Sequence, residues 1–333
     1  MAKTSRKPAP IVALGTMTFG GQTSDADARR MLDMFFDAGH SWVDTAYMYT
    51  EGKSETILGK LLKGRKRDRA FIATKAYPGR LGPGKPQGLT PGSLRGQLET
   101  SLQRMKLDCA DLFYLHAPDN QTPLEDTLGA VQQLREEGKL RELGLSNYAA
   151  WQVAEVAGLC ERHGWDAPLI YQGMYNAVTR DVERECLPAC RHFGVDFIAY
   201  NPLAGGMLTG KYSTMATVPD SGRFSGQYYR NRFWKTEYFE AVRQLEETAR
   251  KLRLPLGHAA LRWMLRHSKA DGIVLGASKV EHLKDNLAAC TQGPLSDAMV
   301  MAFDAAWDIT RPVCDRYFRD ESSIQPALGR AKK

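Results

Sequence analysis

Eight short apolar runs recur along the chain, and no other feature of the sequence restricts the fold as strongly. They lie at residues 11–17, 41–46, 70–75, 111–116, 142–147, 168–175, 196–202 and 272–278. Each has the length and the apolar content of a strand that is buried on both faces of a parallel sheet. Amphipathic stretches with helical spacing lie between and around them, at residues 25–38, 54–62, 91–104, 124–137, 150–162, 181–193 and 237–266. Regular alternation of strand and helix predicts a parallel α/β fold.

The ends of the helical stretches agree with this segmentation. Ser24 and Thr90 are suitable N-cap residues, and Pro91 suits the first helical turn. Glycines that suit the C′ position follow four of the stretches, at Gly39, Gly138, Gly164 and Gly194. Eight units of strand and helix predict one closed (β/α)8 TIM barrel. No Gly-x-Gly-x-x-Gly motif opens a helix, which argues against a Rossmann fold.

Nothing in the composition marks a domain boundary. The 30 glycines and 16 prolines are spread over the 333 residues rather than gathered in a linker. We therefore predict a single barrel domain over residues 1–333, with its core at about 11–319 and a loose tail at 320–333. Residues 207–235 fit neither element type, and we predict a long active-site loop there, after the seventh strand.

Charge and cysteine usage disfavour several functional classes. The formal charge of +7 comes from interleaved acidic and basic residues, which indicates a solvated surface rather than a nucleic-acid site. The sequence has no apolar run long enough for a membrane span. Because the chain opens with MAKTSRKPAP and its cysteines are scattered, we expect a reduced, cytoplasmic protein. Cys186 and Cys190 could share a helix face, but no second pair completes a metal site, so we expect no metal.

Four polar side chains stand at or near the ends of apolar strands: Asp44, Tyr49, Lys75 and His116. In a barrel these positions face the active site. Taken singly, Asp44 could be a turn cap, Tyr49 a rim aromatic and His116 a satisfied buried histidine. Lys75 has fewer explanations, because a lysine that closes an apolar strand needs solvent or a carboxylate. Asp44 on the preceding strand can be that carboxylate.

Together the four residues make a proton-donating site. A tyrosine titrates near ~10 and is a weak acid at neutral pH, but the ammonium of Lys75 would lower the pKa of Tyr49. Asp44 would hold that ammonium, and a neutral His116 would orient a carbonyl oxygen toward Tyr49. None of these side chains can donate a hydride, so reduction of a carbonyl would need a nicotinamide cofactor.

The sequence resembles the aldo-keto reductase family from about Ile11 to Arg319. The resemblance is carried by LGTMTFG (14–20), DTAYMYTEGKSE (44–55), ATK (73–75), LH (115–116), GLSN (144–147), YNPLAGGMLTGKY (200–212) and GASKVEHLKDN (276–286). YRNRFWK (229–235) and YFR (317–319) are most similar to the branch of aflatoxin-aldehyde and succinic-semialdehyde reductases. The resemblance implies an NADPH-dependent aldehyde reductase, favours a homodimer, and makes the four polar residues a catalytic tetrad with Tyr49 as general acid.

The resemblance also implies where the cofactor lies. Ser146, Asn147 and Gln172 would hold the nicotinamide carboxamide, and Tyr200 would stack on the ring unless it is a core aromatic. The residues implied along the pyrophosphate are Asn201, Pro202, Leu203, Gly205, Leu208, Gly210, Lys211 and Arg223. Those implied at the adenosine end, after the last strand, are Ser278, Lys279, His282 and Asn286.

The adenosine end departs from the commonest pattern of the family, because no arginine stands near His282. Lys279 is then the cation expected to bind the 2′-phosphate of NADPH. Asp285 is close by in the sequence and would instead favour the free ribose hydroxyls of NADH. We expect NADPH, since Lys279 and Arg223 offer two anion contacts.

For the substrate, the resemblance to this branch implies Tyr229, Arg232 and Arg319, beside Tyr49 and His116. A guanidinium can bind a carboxylate through two hydrogen bonds. This fits an aldehyde that also carries a carboxylate, such as succinic semialdehyde or 2-carboxybenzaldehyde. Surface salt bridges are the alternative explanation for both arginines.

Two other classes of function are alternatives to a reductase. The fold also resembles that of the β-subunits of potassium channels, which keep a cofactor and modulate a partner. A lyase or isomerase on the same barrel would need a phosphate cradle for its substrate or metal ligands, and the sequence offers neither. We therefore expect a small-molecule carbonyl compound as the partner of this chain, with no nucleic acid and no membrane.

Overall fold

A closed barrel of eight parallel strands forms the centre of the protein. The structure is a computed structural model, and it describes residues 9–79, 87–212 and 214–319. The strands are β1 Ile11–Gly15, β2 Trp42–Asp44, β3 Phe71–Ala76, β4 Ala110–Leu115, β5 Leu140–Ser146, β6 Ile170–Met174, β7 Asp196–Tyr200 and β8 Gly272–Gly276. They pair in sequence order, and β8 pairs back onto β1. The predicted (β/α)8 TIM barrel is confirmed, and each predicted strand overlaps an observed one.

Helices surround the barrel. They are α1 Asp25–Asp37, α2 Lys53–Leu61, α3 Arg65–Arg69, α4 Pro91–Met105, α5 Leu124–Glu136, α6 Ala150–His163, α7 Cys186–His192, α8 Gln227–Phe233, α9 Thr236–Lys251, α10 Leu256–Arg266, α11 Val280–Cys290 and α12 Asp297–Thr310. The predicted caps of α1 and α4 are confirmed, because the hydroxyls of Ser24 and Thr90 accept hydrogen bonds from backbone N–H groups of the first turn. The four glycines predicted to follow helices all have positive φ.

Three predicted boundaries differ from the structure. The single helix expected over 237–266 is two helices, α9 and α10, because Pro255 cannot continue a helix and disfavours helical backbone at the residue before it. The stretch expected over 181–193 begins with a short 3-10 turn, and α7 starts only at Cys186. The long loop expected over 207–235 contains α8. The patterning also did not predict α3, α11 or α12.

The interior of the barrel shows how the strands position polar groups. Apolar side chains that share this interior form one cluster, made of Ala13, Trp42, Ala73, Leu112, Tyr114, Ile170, Ile198 and Val274. Side chains alternate between the two faces of a strand, so the residues two positions further on also point inward. They include Asp44 on β2, Lys75 on β3 and Gln172 on β6. Polar side chains thus form a layer at the C-terminal ends of the strands, above an apolar interior.

A second, larger apolar layer lies between the strands and the surrounding helices. All six cysteines are free thiols, and Cys186 and Cys190 are fully buried on α7. Across residues 9–79, 87–212 and 214–319, none of the helices is both long enough and apolar enough to cross a bilayer. The tail predicted at 320–333 lies outside the described residues, so it stays a prediction.

Two helical glycines provide a matched test of the packing between α2 and α4. A Cβ on Gly59 would lie 2.3 Å from the backbone oxygen of Arg104, whereas a Cβ on Gly96 would meet nothing within 4 Å. We expect Gly59→Ala to lower the free energy of unfolding by about 1–3 kcal/mol through overpacking. Gly96→Ala should raise it by about 0.5–1 kcal/mol through helix propensity. Urea unfolding of both variants measures this, and equal effects would contradict the packing.

Candidate active site

A buried ion pair lies at the centre of the polar layer. The ammonium of Lys75, which is fully buried, donates hydrogen bonds to Asp44 Oδ1 and, at 2.6 Å, to the backbone oxygen of Thr45. Gln172 Nε2 donates to the other oxygen of Asp44 at 2.7 Å. Burial lowers the pKa of Lys75, and the adjacent Asp44 carboxylate opposes that change. The predicted pairing of Lys75 with Asp44 is therefore present, and Gln172 completes it.

Tyr49 and His116 lie beside this pair. Tyr49 opens a 3-10 turn, Tyr49–Gly52, in the loop after β2, and the Lys75 ammonium is 5.2 Å from the centre of its ring. His116 directly follows β4, and its ring meets that of Tyr49 edge-on with 5.9 Å between centroids. The four residues that the sequence singled out thus converge at one point on the C-terminal face of the barrel.

The histidine has the protonation state that the sequence predicts. Burial, then the positive charges of Lys75 and Arg319, hold the pKa of His116 well below its usual value. The imidazole is therefore neutral at physiological pH. Its Nδ1 atom is buried and has no hydrogen-bond partner among the described residues. Because Nδ1 is enclosed, a hydrogen bond to a small ligand next to Tyr49 would fall to the other ring nitrogen, Nε2.

The expected direction of the pKa shift at Tyr49 is wrong. Burial of the phenol raises its pKa, and the negative charge of Asp44 adds to the increase, while Arg223 and Arg319 oppose it. The Lys75 ammonium, which is paired with Asp44, does not outweigh burial and the charge of Asp44. Tyr49 consequently keeps its proton throughout the neutral range, and a proton donor must be protonated before it acts.

Three of the four residues implied at the nicotinamide form one hydrogen-bonded network next to His116, and the fourth, Gln172, bonds to Asp44. Asn147 Nδ2 donates to the backbone oxygen of His116 at 2.8 Å and to Ser146 Oγ at 2.9 Å. The hydroxyl of Tyr200 donates to Asn147 Oδ1 at 2.7 Å. Tyr200 is only partly buried at the end of β7, so it is not an enclosed core aromatic. Ser146, Asn147, Gln172 and Tyr200 therefore line the same mouth of the barrel as Tyr49.

The loop after β7 has a tightly curled backbone. Asn201, Ala204, Gly205, Gly206 and Gly210 all adopt positive φ. The N–H groups of Ala204, Gly206, Leu208 and Gly210 donate to backbone oxygens of the same loop. The side chains of Pro202 and Leu208 are buried, so only their backbone can face a ligand. Those of Leu203 and Lys211 are at least partly exposed. The contacts of this loop with a pyrophosphate stay a prediction.

Tyr229 packs against that loop, and Arg223 is hydrogen-bonded to Tyr229. Arg223 Nη1 donates to the Tyr229 hydroxyl at 2.7 Å and lies 3.3 Å from Met17 Sδ, in the loop after β1. A Cβ on Gly205 would lie 2.9 Å from the Tyr229 ring, so the small residue permits this close packing. Tyr229 is thus placed against the expected pyrophosphate site as well as near the expected substrate pocket.

The expected adenosine site lies at the start of α11. Lys279 is the N-cap residue of this helix, and no side chain caps its first turn. Thr18 and Thr23 hold the preceding segment through hydrogen bonds from their hydroxyls to the backbone oxygens of Ala277 and Ser278. An uncapped helix N-terminus beside a lysine is suited to a phosphate group.

Three residues that follow Lys279 in the sequence differ in exposure and in their partners. His282 is exposed and Asn286 is buried on the same helix. The carboxylate of Asp285 lies 2.9 Å from Nε2 of His258 on α10. Asp285 is therefore engaged by a histidine, which weakens the alternative that it binds free ribose hydroxyls.

Two arginines and a tyrosine form a basic cluster above the tetrad. Arg319 Nη2 donates to the Tyr228 hydroxyl at 3.1 Å, and its backbone N–H donates to the oxygen of Asn147 at 2.9 Å. The guanidinium of Arg232 lies 5.3 Å from the centre of the Tyr228 ring. Neither arginine forms a salt bridge with a carboxylate in the part of the chain that the structure describes. The surface salt bridges considered as an alternative are thus not observed.

The pKa of Tyr228 reflects the positive charge of this cluster. Burial alone would raise its pKa, but the guanidinium groups of Arg319 and Arg232 outweigh burial, so the net pKa is lowered. Sequence reasoning missed Tyr228, although its spacing of four residues from Arg232 on α8 places both side chains on one helix face. The cluster therefore carries two positive charges, and neither guanidinium forms a salt bridge with a carboxylate among the described residues.

A cavity of about 470 Å³ adjoins the cluster. It lies between the loop after β4 and the start of α6, and its walls include Tyr148, Trp151, Phe318 and Arg319. Arg319 thus borders both the cavity and the region around Tyr228. Its volume is in the range of small-molecule sites.

The fold and the site define a class of protein: a TIM barrel whose C-terminal face brings a tyrosine and a histidine beside a buried lysine and aspartate pair. The family model described as Aldo/keto reductase family matches residues 11–308. The chain therefore belongs to the aldo/keto reductase family. It is an oxidoreductase that acts on carbonyl and alcohol groups with a nicotinamide cofactor.

Individual relatives agree with the family assignment. The chain is 48% identical to Aflatoxin B1 aldehyde reductase member 2 of Mus musculus, over 93% of this chain and 88% of that protein. It is 46% identical to Aldo-keto reductase family 7 member A3 of Homo sapiens, over 96% of this chain and 100% of that protein. It is 34% identical to Aldo-keto reductase pigE of Monascus ruber, over 89% of this chain and 91% of that protein.

The low pKa of His116 predicts a pH effect on stability. In the unfolded chain His116 takes up a proton as the pH falls through ~6.5, whereas in the folded protein it stays neutral. Its contribution to the free energy of unfolding is therefore complete above that pH and is lost as the pH falls below it. Between pH 7 and 5.5 the free energy of unfolding should drop by about 1 kcal/mol through this group alone. His116→Gln should lose that much less in urea unfolding. Parallel pH profiles for the two proteins would contradict the assignment.

Proposed function

We propose that the chain reduces aldehydes to alcohols with NADPH and that Tyr49 donates the proton to the carbonyl oxygen. The observation that carries the proposal is the convergence of Tyr49, Lys75 and His116 around one point at the mouth of the barrel. Two of the relatives that the chain resembles at 48% and 49% identity are named aldehyde reductases, which supports an aldehyde as the substrate.

When bound, reduced nicotinamide supplies the hydride that reaches the carbonyl carbon. The remaining work falls to side chains of this protein. His116, whose imidazole is neutral, orients the carbonyl oxygen toward Tyr49 by a hydrogen bond. Tyr49 gives its proton to that oxygen, and the nearby ammonium of Lys75 stabilises the negative charge that develops on the phenol. Asp44 holds Lys75 in place.

Cofactor binding in this proposal uses three parts of the chain. Ser146, Asn147 and Gln172 bind the carboxamide, and Tyr200 packs on the ring. The curled backbone at 201–211, with Lys211 and Arg223 beside it, binds the diphosphate. Lys279 and the uncapped start of α11 bind the 2′-phosphate, which favours NADPH over NADH because the carboxylate of Asp285 is engaged by His258.

We further propose that the preferred aldehydes carry a carboxylate, as succinic semialdehyde and 2-carboxybenzaldehyde do. Arg232 and Arg319 are largely buried and lack a carboxylate partner among the described residues. Buried cations are costly unless they meet an anion. A substrate carboxylate would meet that need beside Tyr228, within reach of the aldehyde bound at Tyr49.

We also propose that the protein is cytoplasmic and forms a homodimer. The scattered free cysteines support the first part, and the resemblance to the reductase branch supports the second. Neither is needed for the chemistry at Tyr49, because every residue assigned a role lies on one chain.

A panel of aldehydes tests the substrate class. Arg319→Leu and Arg232→Leu should each raise the KM for succinic semialdehyde by about 10–100-fold, the effect of losing a charge-assisted hydrogen bond. For an uncharged aromatic aldehyde the KM should change by less than about threefold. The assay follows NADPH consumption at several substrate concentrations.

The control for this panel is Arg230→Leu. Arg230 lies on the same helix, but its guanidinium binds the backbone oxygens of Phe224 and Ser225. It should leave the ratio of the two KM values unchanged. Equal effects of Arg319→Leu on both aldehydes would disprove carboxylate recognition, and absence of turnover with every aldehyde would favour a regulatory, cofactor-binding role.

Cofactor preference gives an independent prediction. We expect kcat/KM for NADPH to exceed that for NADH by at least tenfold, because one phosphate contact to a lysine contributes about 1.5–3 kcal/mol. Lys279→Met should remove most of that preference without lowering kcat/KM for NADH. Lys284→Met, an exposed change further along the same helix, serves as the matched control. Comparable efficiency of the parent enzyme with both cofactors would contradict the proposal.

A further inference from the structure

The segment that carries Tyr49 has a strained backbone. Thr50 and Glu51 have φ of 48° and 57°, and Gly52 has φ of 86°, so three consecutive residues are left-handed. The left-handed conformation costs roughly 1–2 kcal/mol for each residue that has a side chain. Such a segment persists only where surrounding contacts hold it. The position of the Tyr49 ring therefore depends on those contacts.

One set of contacts comes from the loop after β1 and the start of α2. The Thr50 hydroxyl donates to the backbone oxygen of Phe19 at 2.7 Å and accepts from the backbone N–H of Ser54 at 3.1 Å. These bonds fix the middle of the segment. They leave its two flanks, at Tyr47 and Glu55, to be held from elsewhere.

Arg104, near the end of α4, holds both flanks. Its Nη1 donates to the backbone oxygen of Tyr47 at 2.9 Å and to Glu55 Oε2 at 3.0 Å, and its guanidinium lies 4.6 Å from the centre of the Tyr47 ring. A Cβ on Gly52 would lie 2.4 Å from the carbon of that guanidinium. One side chain thus spans the strained segment and packs directly against its last residue.

Glu55 is the counterion that holds Arg104. Its carboxylate is fully buried and accepts one further hydrogen bond, from the Thr74 hydroxyl at 2.7 Å. Thr74 directly precedes Lys75 on β3. A buried carboxylate with these partners gives Arg104 a fixed orientation, and it ties the segment of Tyr49 to the strand of Lys75.

We propose that Arg104, fixed by Glu55, is a positioning residue that holds the Tyr49 hydroxyl in the geometry needed for proton donation. This inference rests on the proposed role of Tyr49 as the acid. The hydrogen bonds and the ring contact of Arg104 go to Tyr47 and Glu55, so its effect on the reaction passes through the backbone of residues 47–52. A merely structural role would stabilise the contact between α2 and α4 without acting on the chemical step.

The test measures kcat and cofactor affinity separately. Arg104→Met should lower kcat at least tenfold while the Kd for NADPH, measured by fluorescence quenching, stays within twofold of the parent. Arg104→Lys, which keeps a donor and a positive charge, should recover part of the loss. Arg191→Met removes a two-bond pair with Asp271 before β8, at the opposite face of the barrel, and should leave kcat within twofold.

A double variant separates positioning from general damage. In a Tyr49→Phe background, Arg104→Met should cause no further loss of kcat, because it acts through Tyr49. Should Arg104→Met not fold, Glu55→Gln combined with Arg104→Met avoids the unpaired buried carboxylate and is measured in its place. A kcat within threefold of the parent, or a loss that is undiminished in the Tyr49→Phe background, would overturn the inference.

The same series distinguishes this inference from the assignment of the acid. Parent activity in Tyr49→Phe would show that Tyr49 is not the proton donor, and the proposed function would fail with it. A large loss in Tyr49→Phe together with parent-like kcat in Arg104→Met would remove only the positioning role of Arg104.

Discussion

The buried ion pair between Lys75 and Asp44 is the interaction on which the rest of the site depends. Two charges in a low-dielectric interior are costly, and removing one partner of such a pair typically costs about 3–5 kcal/mol. The fold offsets that cost in two ways. Adjacent strands β2 and β3 bring the two charged groups together. Gln172 and the backbone oxygen of Thr45 complete their hydrogen bonds. Tyr49 and His116 then lie beside the Lys75 ammonium, whose position these hydrogen bonds fix.

Backbone strain is concentrated on the same face of the barrel. Among the described residues, seven that are not glycine have positive φ. Five of them lie in the loops that follow β2, β5 and β7: Thr50, Glu51, Asn147, Asn201 and Ala204. These loops carry the proposed proton donor, the hydrogen bonds of Asn147, and the curled backbone proposed to bind the diphosphate. Residues in such conformations persist where the surroundings over-determine them, and here the contacts of Arg104 and the amide network of Asn147 do so.

The strands and the tetrad could be predicted because their signals are local. An apolar run that ends in a lysine or a histidine is expensive unless the polar group is used, so Lys75 and His116 stand out in the sequence. Other features depend on tertiary packing that no local pattern encodes. The raised pKa of Tyr49 follows from burial. The lowered pKa of Tyr228 follows from two arginines, one of which lies 91 positions away in the sequence. Arg104 reaches Glu55 from another helix. The break between α9 and α10 did have a local signal, Pro255, which the periodicity of the apolar residues outweighed.

The most direct test of proton donation by Tyr49 with support from Lys75 is the kcat of Lys75→Met for an aldehyde that the parent enzyme reduces. We expect a loss of at least about 100-fold, in the range of removing support for a general acid, with the Kd for NADPH within twofold of the parent as evidence of an intact barrel. A kcat within tenfold of the parent in a variant that binds NADPH normally would contradict it, because the charge at the end of β3 would then not be needed for proton donation by Tyr49.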